Sequence, residues 1–140
     1  MRILLTSAAA LFATAAMAIA TSASADECGN AAGGQAGLNE CYDKAFKKSD
    51  AELNKLYKDI ENRLKSDPDT TKLLVGAQRR WVAFRDAECE FQASASSGGS
   101  VGPMIYSMCL DGLTKRRIED FKGYLQCAEG DLSCPVPAAN

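Results

Sequence analysis

Residues 38–65 read LNECYDKAFKKSDAELNKLYKDIENRLK. The apolar positions Leu38, Tyr42, Ala45, Phe46, Leu53, Leu56, Tyr57, Ile60 and Leu64 follow one another mostly in steps of three and four. Such spacing puts them on one stripe of a helix. Lys44, Lys47, Lys48, Lys55 and Lys58 mix with Asp43, Asp50, Glu52, Asp59 and Glu61 over the rest of its surface. A helix with one apolar stripe needs a partner to cover it, so the stretch predicts helix-on-helix packing. Ser66-Asp67-Pro68-Asp69 ends the pattern, because proline disfavours a helical residue before it and Asp67 or Asp69 can cap the next helix.

A second helix is expected over residues 70–92. Leu74, Ala77, Trp81, Phe84 and Ala87 or Glu88 carry the same period. Residues 93–99 break it with Ser and Gly. Ser100 is a plausible N-cap for a third helix running to about Gln126, with Pro103 tolerated in its first turn. Val101, Ile105, Met108, Leu113, Ile118, Phe121 and Leu125 supply its apolar content. No stretch alternates with period two for long enough to suggest a sheet. The expected fold is all-α, a small antiparallel three-helix bundle. Before it, residues 26–37 hold Gly29, Gly33, Gly34 and Gly37 and predict a flexible lead-in tied down by Cys28. After it, Pro135 and Pro137 lie in a tail expected to be loose from about residue 135.

The N-terminus sets the compartment. Arg2 precedes an apolar, Ala-rich run over residues 3–20, and Ala23-Ser24-Ala25 offers the small-x-small pattern of a cleavage site. Residues 1–25 are therefore expected to be a cleaved signal peptide, and 26–140 a single domain with its core over 38–127. A retained membrane anchor is the competing reading, but the run is near the lower limit of about 17 residues for a spanning helix. Asp26-Glu27 before Cys28 does not match the small, apolar run that precedes a lipidated cysteine. A periplasmic or secreted protein without a membrane anchor is expected. Of 16 basic residues, removal of Arg2 leaves 15 against 18 acidic ones, a net charge of −3 that argues against nucleic acid as partner.

All 6 cysteines lie in the exported part, and an even count there predicts disulfide staples. Spacing favours nearest neighbours, Cys28–Cys41, Cys89–Cys109 and Cys127–Cys134, among many possible pairings. The Cys89–Cys109 bridge would close a loop of ~15–20 residues, worth about 3 kcal/mol on chain-entropy reasoning. There is no histidine and no Cys-x-x-Cys, so neither a metal site nor a cofactor is expected. The lack of histidine also removes Ser-His and Cys-His nucleophile pairs, and the carboxylates are spread along solvated faces. A non-enzyme is the expectation.

The most distinctive run is Gln78-Arg79-Arg80-Trp81-Val82-Ala83-Phe84-Arg85-Asp86-Ala87-Glu88-Cys89. Gln78, Trp81, Arg85 and Cys89 share one helix face. Two readings fit that face. It is an interface anchored by Trp and Arg, or a core stripe in which Trp81 packs on the first helix and Arg85 is a partly buried, paired guanidinium. Asn54 and Tyr57 could hydrogen-bond across to Gln78 or Arg85 and set helix register. Arg79-Arg80 and Lys115-Arg116-Arg117 are expected on solvated faces. Gly98-Gly99-Ser100 before a helix could hold an anion, though so short a match is unspecific.

Leu53-Asn54-x-x-Tyr57, Gln78-Arg79-x-Trp81-x-x-Phe84-Arg85-Asp86-x-x-Cys89, Gly98-Gly99-Ser100 and Cys109, with Cys28 and Cys41 ahead of them, resemble the LprI-type lysozyme inhibitor domain. The match spans roughly residues 28–127. The resemblance implies a small, exported, disulfide-linked helical domain that inhibits lysozyme and so protects peptidoglycan. The Cys127–Cys134 pair and the missing lipidation motif depart from lipid-anchored members. Under this implication Gln78, Trp81, Arg85, Asp86, Gly98, Gly99 and Ser100 are the candidate binding residues. The loop 98–100 is the element expected to insert into a basic, c-type lysozyme. The alternative is an adaptor that binds another envelope protein through the Gln78/Trp81/Arg85 face.

Overall fold

The computed structural model describes residues 28–139; the expected signal peptide lies outside them. The described residues form three α-helices, α1 (Gly34–Arg63), α2 (Pro68–Gln92) and α3 (Gly102–Leu125), with a short 3₁₀ turn, Ser94–Ser96, between the last two. No strand occurs among them. Consecutive helices run antiparallel, so α1 and α3 point the same way. Asn39 near the start of α1 meets Ser100 ahead of α3, and Arg63 at the end of α1 meets Leu125 at the end of α3. The α1–α3 contact is the most extensive in the molecule, and α2 packs mainly on α3.

The stripe predicted on α1 is the one that faces inward: Leu53, Ile60 and Leu64 are buried and the rest half-buried. With Ile118, Phe121 and Val136 they make the apolar core, flanked by Leu56, Tyr57, Leu74, Trp81, Tyr124 and Leu125. Toward the loop end of the bundle the buried layer changes character. Ser49, Arg85, Ser107, Asp111 and Thr114 are buried there, with Leu110 and Cys89 beside them. Staples close that end, where Cys89–Cys109 joins α2 to α3 and Cys28–Cys41 joins the lead-in to α1. Cys127–Cys134 closes the short terminal loop, so all three bridges join nearest neighbours.

Four expectations are corrected. First, α1 begins at Gly34, not Leu38. The lead-in folds back over the first turn, and a Cβ on Gly37 would collide with the Ala32 carbonyl. Glycine's absent side chain permits that crossing, and Gly33, at φ +95, permits the turn into the helix. Second, α3 starts without a side-chain cap, its N-cap being Val101 and not Ser100. Gly102 instead lies so close to the Ser96 carbonyl that a Cβ would stand 2.7 Å from it. Third, α2 presents Leu74, Gln78, Trp81, Arg85 and Cys89 inward, while Phe84 and Met108, expected on apolar faces, are exposed. The bridge at Cys89 fixes one face of α2 inward, and Arg85, Trp81, Gln78 and Leu74, lying four, eight, eleven and fifteen positions before it, share that face. Fourth, the segment expected as a loose tail sends Val136 into the core at 3% exposure. Arg63 Nη1 clasps it by donating to the carbonyls of Leu125 at 2.8 Å and Pro137 at 3.4 Å.

Asp67 caps α2, accepting from the Thr70 N–H at 3.0 Å, and Pro68 opens the helix. The Thr70 N–H holds the Asp67 carboxyl below its ordinary range. A group with a lowered native pKa stabilises the fold above its unfolded pKa and loses that contribution as pH falls through the native one. Asp67→Asn keeps a capping oxygen and removes the titration. Urea midpoints measured from pH 7 down to about pH 3 should therefore fall less steeply for Asp67→Asn than for the parent.

Candidate functional site

The distinctive α2 run lies at the seam of all three helices. Arg85 is 8% exposed. Its Nε and Nη2 both donate to Asp86 Oδ1 at 2.9 Å, and Nη1 reaches Asp50 Oδ1 at 3.2 Å and Thr114 Oγ1 at 3.5 Å. Its guanidinium lies over the rings of Phe46 and Trp81, 5.3 Å from each centroid. Cation, two carboxylates and two aromatic faces satisfy one another, which is how a buried guanidinium is tolerated. One residue thereby ties α2 to α1 and α3.

Trp81 carries a second guanidinium, that of Arg117, 5.8 Å from its centroid. Arg117 also stacks on Phe121 at 4.6 Å, and its Nε donates to Gln78 Oε1 at 3.3 Å. Arg117 is thus a seam residue, not part of a solvated basic cluster. Its spacing of four from Phe121 was the available signal in the sequence, masked by the neighbouring Lys115 and Arg116. Asn54 does not reach across either; its Nδ2 donates to Asp50 Oδ2 at 2.9 Å on its own helix. Tyr57 packs against Phe121, with ring centroids 6.3 Å apart. Gln78, Trp81 and Arg85 are therefore brought together inside the seam, and Asp86 lies half-exposed at its edge.

Gly98, Gly99 and Ser100 lie apart from the seam, exposed at the end of the bundle. The loop that carries them is a chain of tight turns. Ser96 N–H donates to Ala93 O at 3.0 Å, Gly99 N–H to Ser96 O at 3.1 Å and Gly102 N–H to Gly99 O at 3.2 Å. Gly98 has φ +76, a conformation that side chains disfavour. Cys89–Cys109 holds both ends of the loop. Asn39 of α1 holds its middle, donating to the Ser100 carbonyl at 3.0 Å while Gln35 donates to Asn39 Oδ1 at 2.9 Å. Asn39 carries no mark in the sequence, because its partner is a backbone carbonyl 61 residues away.

Between the loop and the first turns of α3 lies an open groove of about 870 Å³, lined by Glu90, Ala93, Ser94, Ser97, Gly98, Gly99, Gly102, Pro103 and Tyr106. Burial pushes the Tyr106 phenol above its ordinary pKa, and the nearby charges of Asp86 and Glu90 push it further. Glu90 is the one charged residue in the lining, so the groove carries a single negative charge. No group of three or more His, Cys, Asp or Glu suited to a metal occurs among the described residues. A rigid exposed loop beside an acidic groove is suited to contact with another macromolecule.

A family model described as lysozyme inhibitor LprI matches residues 26–121. An uncharacterized protein of Rhizobium meliloti (strain 1021) is 35% identical over 106 residues, covering 68% of this chain and 76% of the relative. No solved structure matches.

Proposed function

We propose a function from the premise that this chain belongs to the LprI lysozyme inhibitor family: it is an exported binding protein that occludes the cleft of a basic c-type lysozyme by protein–protein contact. The family supports a lysozyme-inhibitor-like, exported protein. No helix of the described residues is long and apolar enough to cross a membrane. The observation that carries the finer reading is the exposed loop 97–100, pinned by Cys89–Cys109 and Asn39 beside the acidic groove. A loop already ordered loses little freedom on binding. An acidic surface speeds its encounter with a basic target. In this reading Gly98, Gly99 and Ser100 make the insert and Asp86 the edge of the contact. Gln78, Trp81 and Arg85 hold the platform from within the seam.

Oxidised protein of residues 26–140, at stoichiometric excess, is expected to slow a c-type lysozyme on cell walls, and reduction is expected to abolish the effect. No slowing by the oxidised protein sinks the proposal.

A second reading, an adaptor for another envelope protein, draws on a different observation. Leu73, Phe84 and Phe91 are 72%, 55% and 74% exposed along one flank of α2. Capture of a periplasmic partner that depends on Phe84 and Phe91, by a protein that leaves lysozyme unaffected, favours the adaptor.

A further inference from the structure

The C-terminal end of α2 is built against its own electrostatics. A helix C-terminus carries partial negative charge and is favoured by Lys, Arg or His in its last turn. The last turn of α2 has no basic residue, and Glu88 and Glu90 stand there instead. The two differ. Glu88 Oε1 accepts from Gln92 Nε2 at 2.8 Å, and Glu88 is not part of the groove lining. Glu90 lines the groove, and no hydrogen bond or ion pair engages its carboxylate among the described residues. The cation closest in kind, Arg85, is 8% exposed and already engaged by Asp50 and Asp86. Nothing of opposite charge lines the groove to offset Glu90 and the helix end.

We infer that this groove receives a lysine or arginine side chain of the partner, anchored by the Glu90 carboxylate and capping the end of α2 from outside. The class of occupant follows from the lining. Glu90 is its one carboxylate, and Ser94, Ser97, the loop glycines, Pro103 and Tyr106 share the lining with it. That set is too poor in ligands for a metal ion. It suits a long cationic side chain, whose stem lies along Pro103 and Tyr106 while its head meets the carboxylate. An acidic residue at a helix C-terminus lowers helix stability. Such local conflicts mark places where sequence serves something other than the fold. The inference rests on the lysozyme-binding reading only for the identity of the protein that supplies the side chain.

Glu90→Gln tests it, with Glu88→Gln as control. At low ionic strength Glu90→Gln is expected to bind c-type lysozyme about fivefold more weakly, and less than about twofold more weakly at ~0.5 M salt, because the contact is exposed and screened. Glu88→Gln should bind like the parent. The melting temperature of Glu90→Gln should be equal to or above that of the parent, whereas a structural role for Glu90 would lower it. Equal affinity of Glu90→Gln and parent at low salt overturns the inference and leaves the lysozyme reading standing. If the parent binds no lysozyme, that reading fails, and a direct probe decides the inference. Titration with N-acetyl-L-argininamide, followed by amide NMR, should shift Glu90, Gly98 and Tyr106 in the parent and not in Glu90→Gln. No shift in the parent overturns it.

Discussion

Replacing Cys89 and Cys109 together by alanine is expected to lower the unfolding free energy by about 3 kcal/mol and to abolish lysozyme inhibition. The bridge closes a separation of 20 residues that contains the loop. It also lies where the interior is least able to compensate. The buried groups at that end are Ser49, Arg85, Ser107, Asp111 and Thr114, and the apolar core of Leu53, Ile60, Leu64, Ile118, Phe121 and Val136 lies toward the other. Without the bridge, α2 keeps only its seam contacts to fix its rotation, and the loop keeps Asn39 and its own turn hydrogen bonds. Urea unfolding reads the stability, and amide exchange over residues 93–101 reads the loop. Replacing Cys127 and Cys134 provides the control. That bridge spans 7 residues, so it contributes less, and inhibition should survive its loss. Full inhibition by the Cys89/Cys109 variant would place the binding surface elsewhere.

Phe121→Ala is expected to destabilise by about 3–5 kcal/mol, a large part of the roughly 5–15 kcal/mol typical of a domain. Phe121 is fully buried and is the largest side chain so placed. It meets Tyr57 and Tyr124 with ring centroids 6.3 and 6.2 Å away and supports the Arg117 guanidinium on its face. Truncation leaves a void among α1, α3 and the Val136 strap, and strips Arg117 of one of its two aromatic platforms. Phe121→Leu, which keeps most of the volume, should cost less than about 1.5 kcal/mol. Calorimetry distinguishes the two. Because this core is remote from the loop, the folded fraction of Phe121→Ala should still inhibit lysozyme at low temperature. Loss of inhibition in fully folded protein would mean that the loop depends on the core as well as on its staple.

Much of this architecture is legible along the chain. The α1 stripe, the Asp67-Pro68 boundary and the Ser/Gly break after α2 each arise from interactions within a few residues, so periodicity and capping reveal them. The nearest-neighbour bridges belong to the same class, since each closes a short span. The candidate site is legible only in part. Gly98-Gly99-Ser100 stands out as a break before a helix. Glu90 and Tyr106 do not, because each looks like an ordinary helix residue until the loop folds back between them. The strap is hidden for a related reason. Pro135 and Pro137 mark an irregular segment, but that Val136 enters the core depends on a gap between α1, α2 and α3 that no local pattern encodes.

Local pattern along the chain thus specifies an all-helical domain with three bridges between neighbouring cysteines and a Gly-rich loop between its last two helices. Those properties depend on hydrogen bonds and side-chain periodicity within a turn or two of the chain. Only the tertiary structure decided that α1 and α3 pair in parallel as the principal interface, that α2 turns Arg85 inward and Phe84 outward, and that Arg117 stacks beside Trp81. It alone decided that Glu90 lines an open groove at a helix end whose last turn has no basic residue. These outcomes depend on which surface lies opposite each face, at separations such as the 61 residues between Asn39 and Ser100. A helical period defines the faces of a helix, and the partner across the gap chooses among them.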